Sequence, residues 1–280
     1  MFNAMTRAEI WLQDTLDKPL GIDDLANHIG YSSSQVRRQF RQSFHFSPSA
    51  YREKRRLERA AVLLALTPLN IAQIAVRCGY HNHSSFSRAF QRRYQFSPRH
   101  FRQRLKNSVA SSMPYKPYKT DIEKISDRQM ILMRLYQAPE RIKGLGDTSY
   151  HNEQLACLQA RLRRSTTIIA LPDILAIKVD ALNSEYFHYN RTDVGLYLEQ
   201  TDNAQDIALP VPYRRVDIPT HYCLSTRFDN LADLYDALTH TLVHLLYNQN
   251  DFHVSGHPPQ VLWQANHLEL RIPLVGQLAG

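Results

Sequence analysis

Apolar residues recur at helical spacing through the first hundred positions and at strand spacing after about residue 128. Ile22, Leu25, Ala26 and Ile29 lie three and four apart, with Asp23 and Asp24 at the amino end, where carboxylates favour the helix dipole. Gly30 is the natural stop, and Ser32 is placed to cap a second helix whose apolar stripe is Val36, Phe40 and Phe44. The pattern predicts a helix-turn-helix. Tyr51 to Leu66 follows, with a buried stripe of Leu57, Ala60, Ala61, Leu64 and Ala65 and a basic side of Arg52, Lys54, Arg55, Arg56 and Arg59. It predicts a third helix, stopped by Thr67-Pro68, giving roughly 24 Å of rigid spacer.

The same pattern then returns. Leu20 to Tyr31 reappears 49 positions on as Leu69 to Tyr80, and Phe40…Phe46-Ser-Pro48…Tyr51-Arg52 returns 50 positions on as Phe90…Phe96-Ser-Pro98…Phe101-Arg102. The second copy therefore carries one extra residue just after its turn. A repeated unit that ends in a basic helix implies two contacts with one long, regular partner. Opposite the first apolar stripe lie Ser34, Arg37, Arg38 and Arg41. In the second copy the stripe is Phe86, Phe90 and Tyr94, and the outward surface is His83, Ser84, Ser87, Arg88 and Gln91. Arginine reads guanine in the major groove through two hydrogen bonds, and serine or glutamine contacts bases or phosphates. Arg52, Arg55 and Arg92 are the expected phosphate contacts. With both units held in one frame, the reading helices are expected about 34 Å apart, one turn of duplex. The two outward faces differ, so a non-palindromic site is expected.

Beyond the first unit the rhythm changes. Residues 109–127 have no clear period and read as a linker. Met130 to Tyr136, Tyr213 to Ile218, Tyr222 to Phe228 and Leu268 to Leu274 read as strands, and Ile168 to Leu182 as apolar and β-prone. Tyr150 to Arg164, with Leu155, Leu158 and Leu162, and Leu231 to Tyr247 read as helices. Strand pairs alternating with one long helix, twice over, predict an α+β domain over residues 128–280 with an internal pseudo-twofold repeat, behind an all-α domain over residues 1–108.

Charge divides along the same line. Met1 to Ser108 holds 18 Lys/Arg and 7 Asp/Glu and is +11, which leaves −3 for the rest of a chain whose net charge is +8. Such segregation fits a polyanion-binding domain joined to something else. Cys78, Cys157 and Cys223 show no metal or redox spacing, and Cys157 and Cys223 are expected to be buried and poorly reactive. His240 and His244, four apart, with His253 and His257 nearby, lack the intervening glutamate of a zinc motif, so no metal is expected. No glycine-rich phosphate loop, nucleophile-elbow serine or paired carboxylates point to an enzyme, and no cofactor is expected. With neither a signal-peptide pattern nor a long apolar run, a cytoplasmic protein without membrane contact is expected.

The Gly30-Tyr31 and Gly79-Tyr80 turns, Arg56-Leu57, Ile71-Ala-Gln-Ile-Ala75 and Phe86-Ser-Arg-Ala-Phe90…Phe96-Ser-Pro98…Phe101-Arg102 resemble the double helix-turn-helix domain of AraC/XylS-family transcription regulators, in an arrangement similar to the Rob-type activators. By that resemblance the base-reading positions are Ser34, Arg37 and Arg38, then His83, Ser84, Ser85, Ser87 and Arg88. Double-stranded DNA and RNA polymerase are the implied partners. Val216-Asp-Ile-Pro219…Phe228-Asp-Asn-Leu231…Tyr235 and Glu269-Leu-Arg-Ile-Pro273 resemble the GyrI-like effector-binding domain of such regulators. That likeness implies a cleft lined by rings. From a supply that also includes Tyr186 and Tyr189, the expected effector residues are Tyr136, Tyr197, Tyr222, Phe228, Tyr235 and Trp263, with Glu269 as the acid. The alternative is a constitutive DNA binder whose second domain is a ligand-independent protein-interaction module.

Overall fold

The computed structural model describes residues 4–110, 117–137, 156–157, 159–160, 166–172, 174–175, 190–198, 209, 213–247, 252–264 and 267–276. The chain divides into two compact units, Met1–Lys106 and Asn107–Gly280.

The first unit is helical. Its order is α1 (Ala4–Asp14), α2 (Ile22–Ile29), α3 (Ser33–Phe44), α4 (Pro48–Leu66), α5 (Ile71–Arg77), α6 (His83–Tyr94) and α7 (Pro98–Ala110). Helices α2 and α3 pack on α1, around fully buried Ala8, Leu25, Val36 and Phe40. Helix α4 begins three residues earlier than its pattern predicts. Ser47 accepts from the Ala50 amide and Pro48 sits in the first turn, where its missing N–H costs nothing. At 19 residues α4 is roughly 28 Å long. It serves both copies of the repeat: its start, with Tyr51, closes the first unit's core, and its end carries α5 and α6. Helix α1 was not read from the pattern, and α7 runs through Ala110 into the expected linker.

The second unit holds one antiparallel sheet. Its strands are β1 (Thr120–Ile125), β2 (Arg128–Gln137), β3 (Thr167–Ala170), β4 (Asn190–Leu198), β5 (Arg214–Ile218), β6 (His221–Phe228), β7 (Phe252–Val254), β8 (Gln260–Trp263) and β9 (Leu268–Gly276). Among the described residues the order is β1-β6-β9-β8-β3-β4-β2-β5, with β7 also on β9. A 3-10 turn at Leu231–Asp233 leads into α8 (Leu234–Tyr247), which lies on one face, where the Thr226 and Thr241 hydroxyls meet at 2.8 Å.

Several expectations change here. Thr120–Ile125, assigned to the linker, forms β1 and pairs with β6 along its length. The β-prone run from Ile168 gives a strand only to Ala170, and Ile174 and Leu175 are helical. The expected helix at Tyr150 to Arg164 falls largely outside the described residues, but Ala156, Cys157, Gln159 and Ala160 are helical. Cys157 is exposed and not buried, as are Ala156 and Ala160 of the same turn, whereas Cys223 is buried.

Candidate nucleic-acid interface

Each reading helix is set by its own cap. Ser32 accepts from the Gln35 amide at 3.3 Å while the Gln35 side chain returns to the Ser32 amide at 3.1 Å. Asn82 accepts from the Ser85 amide at 2.8 Å. Before each helix the turn is the same: Gly30 and Gly79 adopt positive φ, and the amides of Tyr31 and Tyr80 return to the carbonyls of Ala26 and Ala75. Past these turns the copies differ in length. Tyr31 is followed directly by its cap Ser32, whereas His81 stands between Tyr80 and its cap Asn82, and this is the extra residue of the second copy.

Once capped, each helix buries its stripe and presents the rest. Val36 and Phe40 are fully buried, as are Phe86 and Phe90. Ser34, Arg37, Arg38 and Arg41 are exposed on α3; His83, Ser84, Arg88, Gln91 and Arg92 are exposed on α6, with Ser85 and Ser87 half-buried. The two surfaces present different chemistry: one carries three guanidiniums, the other serines, imidazole and amide beside Arg88.

Two of the expected phosphate contacts are turned inward. The Arg52 guanidinium donates to the Leu20 carbonyl and, at 3.2 Å, to the Thr15 hydroxyl, and the residue is buried. Arg102, its counterpart, donates to the carbonyls of Leu69 at 2.5 Å and Leu64 at 3.1 Å. Leu20 and Leu69 are themselves repeat partners, so one arginine closes each copy by satisfying the carbonyl that precedes its first helix. Burial lowers the pKa of both arginines. Arg55 packs against Glu58 at 2.7 Å with its side chain only 11% exposed. Of the three, Arg92 alone is open, with its side chain 74% exposed and 3.1 Å from Glu53. The repeat carried only a partial signal for Arg52: it is arginine in both copies, but so are Arg38 and Arg88, and Ser34 and Ser84 also coincide.

The expected effector residues do not converge. Register places Tyr136, Tyr197 and Glu269 on one face of the sheet and Tyr222, Phe228 and Trp263 on the other, the face α8 covers; Tyr235 is on α8 and is partly exposed. On the first face Tyr197 donates to Gln260 at 2.6 Å and lies 4.8 Å from the Arg128 guanidinium. Glu269 accepts from Arg271 at 2.5 Å. Burial raises the Tyr197 pKa. Tyr186 and Tyr189 lie outside the described residues. A residue the pattern missed is Asp193 on β4, buried and held by Arg134 at 2.6 Å and Arg214 at 3.0 Å. Burial pushes its carboxyl up, and the two guanidiniums more than reverse this, holding it below the usual range.

A family model described as a helix-turn-helix domain matches residues 25–104. The regulatory protein SoxS of Escherichia coli (strain K12) is 39% identical over 95 residues, which cover 34% of this chain and 89% of SoxS. The chain belongs to the AraC/XylS family of transcription regulators. Within that family the right origin-binding protein of Escherichia coli is 36% identical over 93 residues, covering 33% of this chain and 32% of its own length. AlkR of Acinetobacter baylyi is 39% identical over 87 residues, 31% of this chain and 28% of AlkR. The chain thus spans only a part of several curated relatives it matches. A solved regulator with an AraC-type DNA-binding domain, from Chromobacterium violaceum, is 32% identical, with a TM-score of 0.35 over 36% of this chain and 91% of that one. The helix-turn-helix region is the part that the chain shares with these regulators. Among the described residues no helix is long and apolar enough to cross a membrane.

Proposed function

We propose that the chain acts as a single copy on an asymmetric, two-part DNA site, as an activator that contacts RNA polymerase, and that its second unit is a GyrI-like domain sensing a small amphipathic or aromatic ligand. The observation that carries the first part is the divergence of α3 and α6. They share glycine turns and a buried stripe, but their caps differ and their exposed faces coincide only at Ser34/Ser84 and Arg38/Arg88. Two different readers in one chain call for two different half-sites. In this reading Arg38 and Arg88 face guanines, Ser34, Arg37, Arg41, His83, Ser84, Ser85, Ser87 and Gln91 surround them, and Arg92 holds a phosphate.

Strand order supports the second part. Outward from the central β3–β8 pair, one side runs β3, β4, β2, β5 and the other β8, β9, β6, β1. The short strand that precedes β2 pairs with β6, and the one that precedes β6 pairs with β2, as two exchanged copies would. On the face without α8, Tyr197 is half-buried and Glu269 is buried and already held by Arg271, which favours an amphipathic ligand over a lipophilic cation.

Selection of bound sequences from a random duplex pool tests the reading. Arg38→Ala is expected to relax one half-site and Arg88→Ala the other, each costing about 1–3 kcal/mol. Relaxation of the same bases by both variants would contradict it. Calorimetry of the full chain against lipophilic cations and bile-salt-like amphiphiles tests the sensor; absence of heat with every compound, alongside full regulation in cells, would favour an interaction module instead.

A further inference from the structure

Helix α4 carries a second inward arginine, Arg56, and it differs from Arg52 in what it joins. Arg52 and Arg102 each close one copy of the repeat, binding Leu20 and Leu69 within their own units. Arg56 spans the two. Its Nε donates to the Leu16 carbonyl at 2.6 Å and a terminal nitrogen donates to the Lys18 carbonyl at 3.2 Å, both in the loop that leads into α2 of the first unit. Its guanidinium lies 5.9 Å from the ring centroid of Tyr80, in the turn of the second copy of the repeat. A β-carbon at Gly79 would fall 2.6 Å from an Arg56 nitrogen and 2.5 Å from the Leu16 oxygen. The loop before one reader and the turn before the other therefore meet at a single guanidinium.

Among the described residues, little else fixes that joint from the same side. A cleft of about 400 Å³ opens beside it, walled by Leu12, Leu20 and Leu25 on one side and by Arg52, Glu53 and Tyr80 on the other, so on that side the guanidinium borders open space. The Glu53–Arg92 pair ties α4 to α6, but both side chains are largely exposed and such pairs hold geometry weakly. Arginine suits this joint because its planar fork satisfies two carbonyls at once while its face lies toward a ring, which lysine cannot reproduce.

We propose that Arg56 is a positioning residue that fixes the separation of α3 and α6, and so the number of base pairs the chain accepts between its two half-sites. The proposal rests on the two-part reading above. A spacer changed by one base pair moves a half-site both along the duplex and around it, so a stiff frame discriminates spacers and a loosened frame does not.

The test uses the full chain, its selected half-sites and a set of duplexes with spacers from two base pairs shorter to two longer, compared by competition binding. For the native chain we expect a single sharp optimum, with about tenfold weaker binding one base pair away, comparable to one mismatched pair. Arg56→Ala and Arg56→Lys are expected to flatten that optimum while leaving base preference inside each half-site unchanged. Circular dichroism melts establish that each variant is folded; if the alanine variant is not, the lysine variant carries the test. A folded variant that keeps the native spacer optimum would overturn the proposal. A native chain that binds one half-site as tightly as the pair would overturn the two-part reading, and the clamp with it.

Discussion

Two glycines at equivalent places in the repeat are not equally replaceable. Both hold positive φ, but a β-carbon at Gly30 meets nothing within 4 Å, whereas at Gly79 it meets Leu16 and Arg56. Gly30→Ala is expected to cost about 1 kcal/mol, the ordinary penalty of that conformation, and Gly79→Ala clearly more, as read by denaturant midpoints. The arginines separate in the same way. Arg52→Gln should lower stability by about 1–3 kcal/mol, because the half-buried Leu20 carbonyl loses its donor, and leave the salt dependence of DNA binding largely unchanged. Arg92→Gln should do the opposite, reducing the salt slope by roughly one while leaving the melt alone. The exposed faces of α3 and α6 were legible because they follow from positions three, four and seven apart. Arg52 was misassigned because its acceptor lies 32 residues away, and charge on a helix face reads as exposed until a distant carbonyl claims it.

Helices with caps and buried stripes were legible; strands that hide their pattern were not. Strand β4, for which no pattern was read, carries Gly195 within it. In the structure Gly195 is required inside the strand, since a β-carbon there would lie 1.7 Å from the Ile131 carbonyl oxygen. Strand β1 was read as linker because its residues are mostly polar, as befits the outermost strand of the sheet. Helix α1 was passed over although Met5, Ala8 and Leu12 mark one buried face. The same concealment covers Asp193, whose two arginines come from β2 and β5. Asp193→Asn is expected to destabilise the second unit by about 3–5 kcal/mol, because it leaves two guanidiniums facing a neutral amide. Its folded carboxyl is held low, so its contribution is complete above about pH 4 and is lost as pH falls through the folded value. Acid titration of the melting temperature should show this fall in the native chain, and less of it in Asp193→Asn.

At the scale of the molecule, a basic helical unit is joined to a mildly acidic one built around a sheet. The charge division and the repeat made the first unit recognisable from residues alone. The face expected to hold a ligand was less so, because ring spacing along a strand does not say which side of a sheet each ring takes: Tyr222, Phe228 and Trp263 went to the side with α8, Tyr197 and Glu269 to the other. The +11 charge of residues 1–108 predicts binding that weakens steeply with salt. Whether one chain carries both readers is decided by native mass spectrometry of the complex with its selected duplex, combined with footprinting of the same complex. The account predicts one chain per duplex, protecting two adjacent major-groove segments of unlike sequence. Two chains on a strict inverted repeat would contradict it.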